Sequence, residues 1–333
     1  LKPTAGSLRF NQDFATLEFY TGNNWATVNT FTEMQNSSSN RGRALFGGGQ
    51  SPDTQQVIDF VNIATAGNAQ NFGELTSAKH SVGSASNEIR GLYAGEGPSS
   101  VTDDIDFITI ASGGGAIDFG NLTTARRNTS GVSSSSRGIF AAGATPSNTN
   151  VIDYIEFMTL GNAIDFGDTI VAQGFQAACQ SPTRGVIGGT GTTSPFENSF
   201  ITISTKGNAV RFGEPNVRRR SYGGASNSVR GIFGGGVADP SPSKLRSVEF
   251  ITISSEGNGV EFGDLIEDKG SINATASQTR VLFAGGSLPS TKSDLIESLT
   301  IASSGNSIDF GNLSIARSHA SALSDSHGGL GGF

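Results

Sequence analysis

Short apolar runs separated by polar, glycine-rich stretches recur along the chain, and none sustains the 3.6-residue period of an amphipathic helix. Residues Asn128 to Gly167 show the pattern in full. Asn128 to Ser136 is polar and Ser-rich, and Arg137-Gly138-Ile139-Phe140-Ala141-Ala142-Gly143 is short and apolar. Ile152 to Leu160 alternates in part, and Gly161-Asn162 then leads into Ala163-Ile164-Asp165-Phe166-Gly167. β-Branched and aromatic residues dominate the runs, which favours strands. Gly-Asn between two such runs predicts a tight hairpin, because both residues tolerate positive φ. The unit thus supplies four strands: a (Ser-rich), b (Arg-Gly-apolar, ending in glycines), c (Ile-Asp-Phe-Ile-Thr-Ile) and d (Ala-Ile-Asp-Phe-Gly).

The unit repeats. Phe-Gly recurs at Phe72, Phe119, Phe166, Phe212, Phe262 and Phe310, and an Arg that usually precedes Gly falls at Arg41, Arg90, Arg137, Arg184, Arg230 and Arg280, both at spacings of roughly 46 to 50. A period of that size means a solenoid, a propeller or an array, and four short antiparallel strands per unit describe a propeller blade. The expected fold is all-β, a single β-propeller. Glycines after strand b, such as Gly47-Gly48-Gly49 and Gly234-Gly235-Gly236, are expected where backbones approach closely. The strand d Phe is expected to fill the space between blades.

Six full units leave a remainder at each end. Leu17-Glu18-Phe19-Tyr20, a turn at Thr21 to Asn24, and Trp25-Ala26-Thr27-Val28 resemble a c–d hairpin. Arg317 to Asp325 resembles strand a, and His327 to Phe333 resembles strand b. Together they predict a seventh blade closed by two strands from each end, with residues 1–16 as a lead segment and 17–333 as the propeller. The alternative is six blades with a separate N-terminal hairpin.

Composition refines this reading. The chain has 333 residues, 35% hydrophobic and 15% charged, so Ser, Thr, Asn and Gly carry its polarity, while 22 Phe at periodic positions argue for a packed core rather than disorder. A net charge of −7 offers no basic footprint for nucleic acid, and Arg218-Arg219-Arg220 reads as a solvated strand start. No apolar stretch approaches the ~18 residues of a membrane span. Cys179, the single cysteine, excludes an intrachain disulfide and reads as a buried filler. Leu1 is not a Met, so a leader or upstream domain is expected ahead of it.

The tempting chemical motifs fall on repeat positions. Asp118-Phe119-Gly120, Asp165-Phe166-Gly167 and Asp309-Phe310-Gly311 spell the kinase metal-binding triplet, yet Asn71, Arg211 and Glu261 replace the Asp in other units. No glycine run continues into the Lys-Ser or Lys-Thr of a phosphate loop. His80, His319 and His327 lack metal spacing. Asp103-Asp104 is the one acidic pair of note, read as a loop feature or weak cation contact rather than the paired carboxylates of a glycosidase. No catalytic residue, metal site or cofactor is expected. The periodic Arg of strand b is expected to lie along its blade and pair with a neighbouring carboxylate or carbonyl.

In such a meander the a–b and c–d turns share one face, and the b–c and d–a loops share the other. The c–d turns are uniform, whereas the b–c loops vary, as at Gln50–Thr54, Gly191–Phe196 and Val237–Lys244. Variable loops on a rigid scaffold are where recognition sits, so the b–c face is the expected contact surface. Its approaches to strand a carry Lys79, Arg126, Arg218, Lys269 and Arg317. Phe196, Lys244 and Arg246 are its most distinctive members, and Asp103, Asp104, Arg126 and Arg218 complete the candidate binding set.

The apolar run ending in Gly-Gly and followed by a hairpin resembles the kelch repeat, with Phe where that family usually has Tyr and Trp. The stretch Ala5 to Asn11 with Leu17 to Trp25 resembles segments of bacteriophage tail and fibre proteins, and the repeats are similar to kelch-like virion proteins of cyanophages. The resemblance implies a non-enzymatic structural or adhesive tail protein. It would bind other virion proteins or a host-surface glycan or protein, with homo-oligomerisation open and neither nucleic acid nor membrane insertion involved. The alternatives are a tail-borne glycan-degrading enzyme and a secreted or cell-surface bacterial kelch module.

Overall fold

A computed structural model of the chain describes residues 3–11, 16–27, 42–96, 100–190, 196–240 and 243–331. It divides into two compact units, Leu1–Arg41 and Gly42–Phe333. The second unit is a β-propeller of six four-stranded antiparallel sheets. Blade 1 takes strand a from Ser321–Ser324 and strands b, c and d from Arg43–Gly47, Val57–Asn62 and Gln70–Glu74. Blades 2 to 6 are continuous in sequence, with innermost strands a at Gly83–Ser86, Ser130–Ser133, Ala178–Gln180, Gly223–Ser226 and Asn273–Ala276.

The seven-blade count is therefore corrected to six. A blade needs one outermost strand, and the six Phe-Gly markers are those strands. The first repeat lacks only strand a, so the C-terminus contributes one strand rather than two. The segment expected as a further strand b forms instead a 3₁₀ turn over Gly328–Leu330, capped by His327; residues 332–333 lie outside the described residues. The N-terminal hairpin does form, pairing Thr16–Tyr20 with Trp25–Thr27, but its third strand is Leu8–Asn11 in a separate three-stranded sheet. There Arg9 lies over the Trp25 ring at 4.3 Å and bonds Glu18 at 2.7 Å. Val28 and Arg41 lie outside the described residues, and Arg43 fills the strand b position expected for Arg41.

Three repeated contacts join each blade to the next. At the root, the cation expected on the surface before strand a is buried against an acid of strand c in its own blade. The pairs are Lys79–Asp106 (2.9 Å), Arg126–Asp153 (3.0 Å), Arg219–Glu249 (3.6 Å), Lys269–Glu297 (2.6 Å) and Arg317–Asp59 (3.2 Å). The acids also accept from the linker arriving from the preceding blade, as Asp153 does from Thr123 N (3.0 Å) and Oγ1 (2.6 Å). Blade 4 places Gln173 and Ser199 at these two positions, both neutral and both buried. Neither charge is left alone.

At mid-radius, the strand b Arg reaches the carbonyl that ends strand c of the next blade. Arg90 donates to Phe157 (2.5 Å), Arg137 to Ile203 (3.1 Å), Arg184 to Ile253 (3.0 Å) and Arg230 to Ile301 (3.0 Å). Arg43 to Ile110 (2.9 Å) and Arg280 to Ile63 (2.8 Å) complete the circle across the chain closure. Each guanidinium also lies over an aromatic ring of its own blade, such as Arg184 over Phe200 at 4.1 Å. The expected carbonyl pairing holds, but to the neighbouring blade.

At the rim, the Gly-Asn turn is more than a hairpin. Residues 63–69 connect strands c and d of blade 1, and Gly67 N donates back to Phe310 O of blade 6 (2.8 Å) while Asn68 Oδ1 accepts from Asn312 N (3.1 Å). Equivalent bonds recur around the ring, as at Gly161 N to Phe119 O (3.0 Å) with Asn162 Oδ1 on Asn121 N (3.1 Å). This approach explains the invariant Phe-Gly: Gly311, at φ 150°, packs so closely against the Gly67 carbonyl that a Cβ would clash. The preceding Phe fills the layer between blades, as Phe119 does with Phe140, Ile155 and Phe157.

Removing one partner of a buried pair strands the other charge, which costs about 3–5 kcal/mol. Arg126→Met is expected to destabilise the propeller by that order. The double change Arg126→Gln with Asp153→Ser, which copies blade 4, is expected to cost less than the single one, measured by chemical denaturation. A double variant no more stable than Arg126→Met would contradict this account.

Candidate functional site

The six strands a surround an axial chamber of about 150 Å³. They come this close because their residues are small and bridge through hydroxyls. Ser84 Oγ donates to Ala322 O (2.7 Å), Ser86 Oγ to Ser324 O (2.7 Å) and Ser226 Oγ to Gln180 O (2.7 Å). Gly131 has no room for a Cβ against the Ser84 carbonyl. The Ser-rich stretch of each unit is thus the wall of the channel.

One end of the chamber is closed by the chain itself. His327 is buried; its Nε2 lies 2.8 Å from Ser86 O and 3.3 Å from Ser133 Oγ, and its Nδ1 lies 3.0 Å from Gln180 Nε2. Gln278 Nε2 holds the following turn through the carbonyls of His327 (3.0 Å) and Gly331 (2.8 Å). Gly328 and Gly329 pack against the carbonyls of Asn227, Gln180 and Ser133 with no space for a side chain. The plug therefore sits on the a–b and c–d face.

The other end opens on the b–c face through a mouth of about 90 Å³. Its rim is one repeated backbone position, occupied by Ser81, Asn128, Phe175, Ser221, Ser271 and His319, all left-handed at φ 50–66°. Amide-to-carbonyl bonds run around this rim: Ser81 to His319 (2.9 Å), Asn128 to Ser81 (2.8 Å), Ser221 to Phe175 (2.8 Å), Ser271 to Ser221 (2.7 Å) and His319 to Ser271 (3.0 Å). Residues at one repeat position thereby form a collar of five linked steps, interrupted between Asn128 and Phe175.

Beside the mouth, His80 Nδ1 lies 3.4 Å from Glu96 Oε2, Arg127 lies 3.9 Å from the same carboxylate, and the His80 and His319 rings are 6.3 Å apart. Burial, opposed by Arg127, pushes the Glu96 carboxyl up to about 7. Burial pulls His319 down to about 4, with His80 and Lys292 adding to it, and burial does the same to His327. His80 is lowered by burial, Arg127 and Lys292. Among the described residues no group of three or more His, Cys, Asp or Glu is placed to hold a metal ion. Cys179 is buried and free, and burial raises its thiol pKa, as expected of a filler.

The predicted binding residues are spread around the b–c face rather than gathered. Phe196 and Arg218 meet, the guanidinium 4.7 Å above the ring, latching loops of blades 4 and 5. Lys244 Nζ donates to Leu288 O and so ties blade 5 to blade 6, as Lys292 ties blade 6 to blade 1 through Gln50 O (2.7 Å). Arg246 is exposed, 3.6 Å from Asp264. Asp103 and Asp104 sit where strand c of blade 2 begins, their carbonyls accepting from Leu122 N (2.7 Å) and Gly95 N (3.0 Å). Arg126 is corrected: with Lys79, Lys269 and Arg317 it is fully buried, so its charge serves the blade root. The residue exposed in that series is Arg218, one place before its buried equivalent Arg219. The channel residues were missed because each reads as filler in isolation; their signal was recurrence at one repeat position, broken at Phe175 and His319.

No family model matches the chain, and no curated protein matches it significantly.

His319 and His327 sit below their ordinary pKa of 6.5, so the folded state resists protons that the unfolded chain takes up. Their contribution to stability is complete above pH 6.5 and is lost as pH falls towards 4. Glu96, raised to about 7, opposes this singly between pH 7 and 4.5. The melting temperature is expected to fall between pH 6.5 and 4, and less steeply in His327→Asn. A flat profile in the wild-type protein would refute the assignment.

Proposed function

We propose that the chain is a non-enzymatic structural or adhesive component of a phage tail or appendage, built on a kelch-like repeat, that contacts other virion proteins or the host surface. The observation that supports it most is the division of labour between the two faces. The a–b and c–d face is occupied by near-identical turns, arginine clips and the C-terminal plug, all serving closure. The b–c face carries the irregular loops, the open mouth and the exposed Arg246. A rigid ring that presents varied loops on one side is a recognition scaffold. The likeness of the repeats and of the Ala5–Asn11 and Leu17–Trp25 stretches to cyanophage-type virion proteins supplies the setting.

Antibody labelling of purified phage particles tests it: the chain is expected on the tail, with the b–c face of the propeller outward or against a neighbouring tail protein. Absence from particles, or secretion by a bacterium lacking the phage, would overturn it. Arg246→Glu is expected to weaken attachment without changing the melting temperature, because Arg246 and Asp264 form an exposed pair of little energetic weight.

A further inference from the structure

Three residues that line the axial chamber carry buried polar atoms with no partner among the described residues. Gln176, 7% exposed, donates its Nε2 to Ala141 O (2.9 Å), yet no group among the described residues reaches its Oε1. Asn273, 6% exposed, repeats this, its Nδ2 on Ala284 O (3.0 Å) and its Oδ1 without a protein partner. The Thr129 hydroxyl is the third such group. They come from blades 4, 6 and 3 and line the same chamber. Buried polar atoms are nearly always satisfied, and leaving one unmade is costly. The chamber's volume of about 150 Å³ also exceeds the ~30 Å³ share of one water.

The mouth holds a second anomaly. The collar demands a left-handed backbone, which Ser and Asn accept at small cost and a bulky residue does not. Phe175 nonetheless adopts φ 66° and is 38% exposed at the mouth. Packing alone gives no reason for an aromatic there. Strain of this kind is retained where a site uses it.

The chemistry of the lining narrows the ligand. Gln176 and Asn273 offer oxygen acceptors, so the ligand must donate, which carboxylates and phosphates do not. Among the described residues no Asp, Glu, Lys or Arg lines chamber or mouth, so a cation finds no carboxylate there and an anion no countercharge. An aromatic face beside neutral acceptors fits a ring that is apolar on one face and hydroxylated at its edge. We infer that the mouth and chamber bind a neutral sugar residue, its ring against Phe175 and its hydroxyls donating to Gln176 and Thr129, with Asn273 on another wall. The C-terminal plug makes the b–c face the way in. This deepens the recognition reading above and rests on it for the face that meets a partner.

The full chain is tested on an array of neutral and acidic oligosaccharides, then by calorimetry with the strongest neutral binder. Saturable binding of one neutral sugar per chain is expected. Phe175→Gly is expected to weaken it at least tenfold while the melting temperature holds or rises, since glycine accepts the left-handed backbone; Gln176→Leu is expected to weaken it as well. Retention of acidic glycans alone, no retention of neutral ones, or full affinity in Phe175→Gly would overturn the inference. Particle labelling separates the two readings: a chain present on the tail that binds no sugar sinks the sugar site alone. A sugar-binding chain absent from particles sinks the virion assignment alone.

Discussion

Each root of the propeller except that of blade 4 is held by a cation and a carboxylate with almost no access to water. Such a pair is a demanding device, because each charge gives up its hydration and must recover it from geometry. The recovery here is collective. Asp106, for instance, accepts from Lys79, from the Thr76 hydroxyl and from the Thr76 amide. One carboxylate thereby holds the outgoing edge of the preceding blade, the linker and the innermost strand of its own. The same logic closes the ring, since Asp59 gathers Ser314 and Arg317 from the far end of the chain.

Blade 4 shows that the root can do without the pair when both members are replaced together. With Gln173 and Ser199 in place of the charges, Gln173 Nε2 bonds Gly188 O (3.3 Å) and the linker relies on Thr169. Burial of two neutral groups avoids the desolvation of two ions. The neighbouring loop still needs fastening, and Tyr222 from blade 5 supplies it through Gly189 O (2.9 Å).

Because root, mid-radius and rim contacts all consume polar groups, little of the repeat is left for chemistry. The clips, Gly-Asn turns and C-terminal plug close one face. What escapes is the b–c side, where loops differ in length and the collar places Phe175 and His319 among Ser and Asn. The departures from the repeat, rather than the repeat itself, mark the axial site.

The amino-acid pattern alone establishes the class of fold, the four strands of a unit and the role of the strand d Phe, because these follow from local alternation and a period that recurs in every unit. It also held the blade count in its six Phe-Gly markers, although the strand-like ends pointed to seven. Local pattern cannot tell whether a hairpin joins the ring: Thr16–Tyr20 and Trp25–Thr27 pair as foreseen, yet with Leu8–Asn11. The folded ring is what turns Arg126 inward and Arg218 out, since solvent access depends on which strand c carboxylate lies opposite. It alone converted the Ser-rich stretches into a channel wall and the final glycines into a plug. Residues from six separate units meet on the axis, and a contact of that kind has no period along the chain.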